Sequence, residues 1–590
     1  MILQALTAYY EQLLRTGQLS APGWDHSFKV SYWLRIGPDG QLLDLVDCRQ
    51  MVPKGKKEVL APREMQVPAH VTRSSGVAAN FLCDNSSYLL GADEKGKPER
   101  SLQCFEACAK LHHEILNEVD SPAAKAVLAF FDHWDPASAS THPLLAERWK
   151  EVAGNANLTF DCELPDGTIL AAEDPAIQNA WQQHYNRVSP DASMVQCLVT
   201  GQQAPLARLH PSIKGVRGAQ SSGASLVSFN APAFCSYGHE QGENAPVSEY
   251  AAFAYTTALN HLLADKNHCQ YLGDTAVVCW AENASPTYAS LGMMGMFGIP
   301  ADSGVTDDDL SKALRNLSQG TPCSWLGETL LPNQHFYVLG LAPNAARLSI
   351  RFFLQDTLSQ FSKHLQDHAD ALEIIHPAND KRQMLSIWSL AMETVNRKER
   401  NPSPAPQLAG DLLRAALLGT PYPSTLLHGV SARIHAERNI TPNQAAILKA
   451  YYLRNNTSNQ QFKEVLIVKL NEESCYLPYI LGRLFAVLEA IQYFANKDVK
   501  DVKSTVHDRY FTSACETPAM VFPTLINLAQ KHLNKMTTAQ EVYYNKQLAD
   551  LIGRMDENYP AHLTLPEQGA FQIGYYHQTQ KRFTKKSEEE

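Results

Sequence analysis

Between Asp191 and Glu240 the chain has no carboxylate side chain at all, although acidic residues outnumber basic ones overall, 61 to 51, for a formal net charge of -10. A uniformly basic polyanion binder is excluded, so any contact with a polyanion must be confined to patches. No apolar run approaches the ~18 residues of a membrane span. Gln4, Thr7, Glu11, Gln12 and Arg15 interrupt the first apolar residues, so no secretory leader is expected. A cytoplasmic setting follows, with no membrane partner. The 12 cysteines include no C-x-x-C pair and are scattered from Cys48 to Cys515. They are expected as core thiols, Cys104 and Cys108 sharing a helix face. His112 and His113 beside Glu114, with His133 beyond, lack zinc-ligand spacing and are read as surface or satisfied core residues. The sequence asks for no metal and no cofactor, and no repeat of fixed period occurs.

What is present is ordinary globular material: 590 residues, 44% hydrophobic, 19% charged and 9% aromatic, a length that suggests about four domains by the usual domain size. The periodicities predict an α+β protein. Residues 1–375 read as a mixed α/β domain with several antiparallel hairpins, and 376–590 as an α-helical domain whose residues 465–590 form a bundle. A helix through Leu3, Leu6, Tyr10, Leu13 and Leu14 ends at Gly17. Alternation over Phe28, Val30, Tyr32, Leu34 and Ile36, a turn at Gly37-Pro38-Asp39-Gly40 and a return strand through Leu43, Leu45 and Cys48 predict a hairpin. Helices are expected over 101–119, 122–133 and 249–263. A hairpin is expected over 160–170, and strands over 194–200, 275–280, 336–341 and 348–353.

The carboxylate-free stretch contains Lys214 to Asn230, KGVRGAQSSGASLVSFN. Gly215, Gly218 and Gly223 permit positive φ and close backbone approach. Lys214, Arg217, Gln220, Ser221, Ser222 and Asn230 supply donors suited to phosphate oxygens and base edges. Gly218 to Ser225 spells G-x-x-x-x-G-x-S, but Ala224 stands where a nucleotide-binding loop needs lysine. Leu226 to Phe229 also alternates like a strand where such a loop would open a helix, so that motif is rejected. The same composition also describes a plain surface loop between two strands.

A second basic segment runs from Arg49 to Arg73 through Lys54, Lys56, Lys57 and Arg63; a solvated face is the alternative to a DNA contact. It leads into Arg73, Ser74 and Ser75 and then Asn80 and Asn85, whose amides either read base edges or hold Asx turns. Strand alternation places Arg347, Ser349 and Arg351 opposite Leu348, Ile350 and Phe352. The two arginines suit either a nucleic-acid backbone or an acidic neighbour.

Beyond residue 375 helical patterns dominate. Pro402, Pro404 and Pro406 mark an extended link, and Thr441 to Tyr452 a helix with Pro442 in its first turn. Leu477, Ile480, Leu481, Leu484, Leu488 and Ile491 form one stripe; Val521, Leu525, Leu528, His532 and Met536 lie near a second. Thr538 with Glu541 is read as a capping box for a third, through Val542, Leu548, Leu551, Ile552 and Met555. The tail from Lys581 to Glu590 is expected to fray.

The string KGVRGAQSSGASLVSFNAPAFCSYGHEQGENAPVSEYAAFAYTTALNHLL closely resembles the signature of the large subunit of the type I-C CRISPR surveillance complex, Cascade, of the Cas eight family, subtype c. The opening MILQALTAYYEQLL, the stretch GVAANFLCDN and the string FYVLGLAPNAARLSIRFF resemble the same family, so the likeness spans essentially the whole chain. It implies a non-catalytic subunit that recognises the protospacer-adjacent motif on double-stranded DNA, aids duplex opening and R-loop formation, and helps recruit the helicase-nuclease. Its implied partners are CRISPR RNA, target DNA, the Cascade backbone and guide-processing subunits, and that helicase-nuclease. A metal-dependent nuclease and a guide-RNA-processing factor are the alternatives from other classes.

The resemblance also implies a small subunit translated internally from the same message and similar to the C-terminal bundle. Met392 would carry along the proline-rich link, and Met520 would delete the Leu477 to Ile491 stripe. Initiation is therefore expected at an alternative codon for Val465, Leu466 or Val468, giving a product of about 120 residues, enough for three or four helices. Intact-mass analysis of the assembled complex checks this. A fragment starting in that window is expected; no C-terminal fragment, or one starting at Met392, would contradict it.

Overall fold

The apolar alternation from Phe28 to Ile36 reads as one strand, but the backbone breaks it at Ser31 into two strands with different partners. The computed structural model describes residues 1–19, 21–54, 57–71, 76–94, 96–154, 156–187, 192–377, 385–455, 458–496, 505–555 and 558–583, and only the backbone of 26, 27, 53, 54 and 57. Two compact units emerge, the first built from Leu3–Pro211 and Ser228–Ala258, the second from Ser212–Val227 and Leu259–Glu590. The change from sheet to helix that suggests a boundary near 375 falls inside the second unit.

The strands of the first unit are β1 Trp24–Val30, β2 Tyr32–Ile36, β3 Leu42–Asp47, β4 Gln50–Lys54, β5 Lys57–Ala61, β6 Arg63–Pro68, β7 Cys83–Asn85, β8 Asn157–Leu164, β9 Gly167–Leu170, β10 Met194–Gln196 and β11 Gln203–Pro205. β2 pairs antiparallel with β3 across the expected turn and parallel with β8, whose other edge is taken by β7 at its start and β9 at its end. β1 pairs with β6, β4 with β5, and β10 with β11. The expected strand 194–200 thus ends early, because Cys197 turns the chain: its carbonyl accepts from Gly201 N.

Helix Pro122–His133 has the expected bounds: Ser121 Oγ accepts from the amides of Ala123 and Ala124, and proline starts the first turn. It lays Phe130 edge-on to Phe160 of β8 with ring centres 5.2 Å apart. The β2–β3 turn presses so close that a Cβ on Gly40, at φ +79°, would fall 2.2 Å from Phe130 N. The helix expected over 101–119 runs from Pro98 to Leu116 and buries Cys104 and Cys108 as foreseen. His112 is a satisfied core residue: its Nε2 accepts from Leu82 N at 2.9 Å and its Nδ1 donates to Cys108 O at 2.8 Å. Most cysteines are buried, but Cys475 is exposed and Cys235 partly so.

In the second unit β12 Cys269–Leu272, β13 Thr275–Ala281, β14 Cys323–Trp325, β15 Glu328–Leu330, β16 His335–Asn344 and β17 Arg347–Thr357 include one antiparallel sheet in the order β12-β13-β16-β17. Every residue of β13 is buried. The β16–β17 register slips between Gly340 and Leu341, leaving Arg351 unpaired between Ile350 and Phe352. Alternation fails there, and Ile350, expected on the covered face, is 46% exposed.

The helical part departs from its amphipathic stripes in an instructive way. Leu477–Ala495 is buried nearly all round and acts as the central helix of the bundle. Its neighbour Leu565–Lys581, which no apolar pattern announces, lies so close that a Cβ on Gly482 would fall 1.9 Å from Phe571 O. Val506–Glu516 is a further helix without a clear stripe. The second stripe settles on helix Pro518–Leu533 and buries Val521, Phe522, Leu525, Ala529 and Leu533, with Met536 past its end. The third helix is capped one residue earlier than read: Thr537 Oγ1 accepts from Gln540 N. It turns Tyr544, Leu548 and Leu551 inward and leaves Val542 63% exposed. Helix Leu565–Lys581 also meets residues outside 465–590, since Tyr452 Oη donates to Leu565 O and Tyr576 Oη to Ile375 O. Lys581 pairs with Glu472, and residues 584–590 of the expected frayed tail lie outside the described residues.

Burial pushes His112 down to about 4 and His368 and His577 down to about 3, so each folds neutral. Groups whose folded pKa lies below the unfolded value contribute stability that is present above pH 6.5 and lost as pH falls toward the folded values. Unfolding monitored in denaturant is therefore expected to cost about 2 kcal/mol less per histidine at pH 5 than at pH 7. A flat profile would contradict neutral burial.

Candidate nucleic-acid interface

Within the second unit, the basic loop leaves and returns through one narrow backbone pair. Ile213 N donates to Ala224 O and Ala224 N to Ile213 O, both at 2.8 Å, and both residues are buried. Val216 is the one buried side chain between them, while Lys214, Arg217, Gln220, Ser221 and Ser222 are exposed. Gly223 at φ +108° has Ser212 so near that a Cβ would sit 2.6 Å from the serine Cβ, so only glycine fits where the loop closes.

Three anchors hold the loop. Asn260 Oδ1 accepts from Lys214 N at 2.8 Å, and Asn260 Nδ2 donates to Ser212 O at 3.1 Å. Tyr271 Oη donates to Gly215 O. Ser225 N donates to Ala346 O and accepts, through its carbonyl, from Leu348 N, both at 3.0 Å, a parallel bridge to Arg347. The expected strand 226–229 is absent; the extended pairing ends with this bridge at Ser225. No helix follows Ser225 either, so the geometry of a nucleotide-binding loop is missing as well as its lysine.

The cations face outward. The Arg217 guanidinium lies 3.9 Å from the centre of the Tyr271 ring, which fixes one side of its plane and leaves the donor edges free to turn outward. Among the described residues, no carboxylate pairs with Lys214 or Arg217. The fold also brings this loop onto the β16–β17 turn, so Arg347, read separately from sequence, belongs to the same surface. Arg351 lies further along β17, 3.5 Å from Asp274 with both half-exposed, a contact of little energetic weight. Tyr271 and Asn260 escaped the sequence reading, since no spacing ties a strand tyrosine or a helix amide to a distant loop.

Lys54, Lys57, Asn80, Asn85 and Asn230 belong to the first unit. The backbone sets Lys54 opposite Lys57 at the end of the β4–β5 ribbon; Lys56, Arg73, Ser74 and Ser75 lie outside the described residues. Asn230 is exposed on the returning arm of the loop. Arg49 is turned inward: it bonds Asp47 at 2.7 Å and Glu151 at 2.9 Å and lies over the Tyr32 ring. Its hydrogen bonds hold Asp47 below the ordinary carboxylate range. Asn80 is 5% exposed, and its Oδ1 accepts from Val71 N at 2.9 Å. Asn85 Oδ1 accepts from Ser87 N at 3.0 Å as the cap of the short helix Ser86–Leu89. Asp84 ties the two together by accepting from both backbone amides, at 3.1 and 2.8 Å. Of the two readings of these amides, this geometry supports the turn.

A sequence model of the CRISPR-associated protein family Cas_Csd1 matches residues 6–583. The chain is a Cas_Csd1 protein. No curated protein matches it. In this Cas_Csd1 protein no described helix is long and apolar enough to cross a membrane. Nor, among the described residues, is any group of three or more His, Cys, Asp or Glu side chains placed to hold a metal ion.

The geometry separates the asparagines from the loop cations. Asn80→Ala removes the acceptor of the part-buried Val71 amide bond and is expected to lower stability by about 1 kcal/mol, and Asn85→Ala by about 1 kcal/mol as a lost cap. Thermal unfolding checks both. Unchanged stability with lost discrimination among DNA sequences would restore the base-reading role.

Proposed function

We propose that this Cas_Csd1 protein is the large subunit of a type I-C Cascade and that it recognises the protospacer-adjacent motif on double-stranded DNA. It helps to open the duplex for the R-loop and to recruit the helicase-nuclease. Family membership supports the CRISPR setting. The observation that carries the DNA reading is the loop from Lys214 to Ser222, whose exposed cations, amide and hydroxyls are held on a closed, anchored backbone without an acidic partner among the described residues. Guide RNA reads target sequence by pairing in such complexes, which leaves the protein a short motif and the sugar-phosphate backbone. Arg347 extends the proposed contact surface of the second unit, and Lys54, Lys56, Lys57, Arg73, Ser74, Ser75 and Asn230 are proposed as separate DNA contacts of the first.

In this role the chain carries no chemistry of its own. The guide-processing and backbone subunits, CRISPR RNA and a small subunit from the same message are the proposed assembly partners. Replacing Lys214 and Arg217 together with alanine is expected to weaken duplex binding at every sequence and to flatten the plot of log affinity against log salt by roughly 2 units of slope. Affinity and slope both equal to those of the unaltered protein would contradict the proposal.

A further inference from the structure

Arg217 stands between two glycines of the second unit that turn the chain on either side of it. Gly215 sits at φ +94° and Gly218 at φ +81°, and a Cβ on Gly218 would fall 3.3 Å from Pro343 Cγ. The guanidinium carbon lies 3.9 Å from the centre of the Tyr271 ring. Carbon atoms in contact sit roughly 3.5–4.0 Å apart. A guanidinium standing on edge would put a nitrogen between its carbon and the ring and move that carbon out by about 1.3 Å. The distance therefore requires the guanidinium to lie flat on the phenol.

Tyr271 is itself fixed at two points. Strand β12 pairs it with Ala276 of β13, and its Oη donates to Gly215 O, two residues before Arg217. One tyrosine thus holds both the backbone that leads into Arg217 and the plane of its head. The five guanidinium N–H groups point within that plane, along the ring face and not into it. Arg217 is exposed, and among the described residues no hydrogen bond or ion pair takes up those N–H groups. Asp274, the carboxylate nearest to Tyr271 in sequence, lies 3.5 Å from Arg351 instead.

We infer that Tyr271 is a positioning residue that presents Arg217 as a flat fork to the two unbridged oxygens of one phosphate; the inference rests on the DNA reading above. A guanidinium free to rotate meets a phosphate in many orientations, most of which engage one oxygen. Held in one plane, it can give two parallel N–H···O bonds. A lysine there would supply the charge and not the fork. The row of donors selects a phosphate over a lone protein carboxylate. Lys214, Gln220, Ser221 and Ser222 are exposed on the same closed loop, and Ser212–Val227 contains no carboxylate. A phosphodiester chain repeats its acceptors along such a row, whereas one carboxylate would use a single donor pair.

The test uses the full-length chain and two duplexes of unrelated sequence, with affinity measured over a range of salt. Arg217→Lys keeps the charge and is expected to lose roughly tenfold in affinity with the salt slope unchanged. Tyr271→Leu is expected to lose roughly fivefold, again at unchanged slope, and Tyr271→Phe to recover most of that loss because the ring remains. In an Arg217→Ala background, Tyr271→Leu is expected to change nothing further, which a purely structural role for the tyrosine would not produce. Equal losses from Tyr271→Leu with and without Arg217 would overturn the inference, as would a Tyr271→Leu protein that binds like the unaltered one. A loss confined to one duplex would assign the fork to a base edge, and a defect only in binding another subunit would assign it to a protein carboxylate; either contradicts the phosphate. If replacing Lys214 and Arg217 together with alanine leaves affinity and slope unaltered, the DNA reading itself fails and this inference with it. A normal effect of that pair without coupling between Arg217 and Tyr271 removes only the positioning.

Discussion

Ile213 and Ala224 exchange both of their backbone hydrogen bonds, and the position of every exposed donor between them depends on that closure. Each such bond is worth about 1 kcal/mol net, too little to order a glycine-rich excursion alone. The added anchors at Asn260, Tyr271 and Ala346 spread the ordering over both arms. A loop ordered before it meets a ligand has already met the entropic cost that a floppy one would meet on binding. Gly215 and Gly223, both at positive φ, are what let so many anchors meet in so short a length. Side chains there would strain the backbone, and at Gly223 one would strike Ser212.

The same principle explains which basic residues are available. Counting charges treats Arg49 and Arg217 alike, but the fold does not. Arg49 lies between two carboxylates over Tyr32 and stabilises the first unit. Arg217 is stacked on one tyrosine with no carboxylate opposite it among the described residues. Only pairing in three dimensions decides whether a cation on an acidic protein faces a partner or its own chain.

Much of the fold was legible where one local signal dominates. Ser121 and Pro122 announce a helix start, Pro165-Asp166-Gly167 a hairpin turn, and an apolar run the buried β13. The signal fails where burial is achieved by polar residues. Helix Leu565–Lys581 buries Gln572, His577 and Gln578, and Gln578 accepts from the equally buried Arg483 at 3.1 Å, so it carries no apolar stripe to find. The candidate site divides the same way. The loop's composition marked Lys214 to Ser222, but Asn80 and Asn85 looked identical as donors whether they faced solvent or held a turn. Tyr271 gave no sign, because its role rests on a distant contact.

The central claim is that the anchored loop from Lys214 to Ser222 faces nucleic acid. An experimental structure of the full assembly on target DNA, at side-chain resolution, tests it most directly. The account predicts phosphate oxygens within hydrogen-bond distance of Lys214 and Arg217, with the Ile213–Ala224 pair intact. The same loop buried against another protein subunit, with DNA elsewhere on the chain, would contradict it.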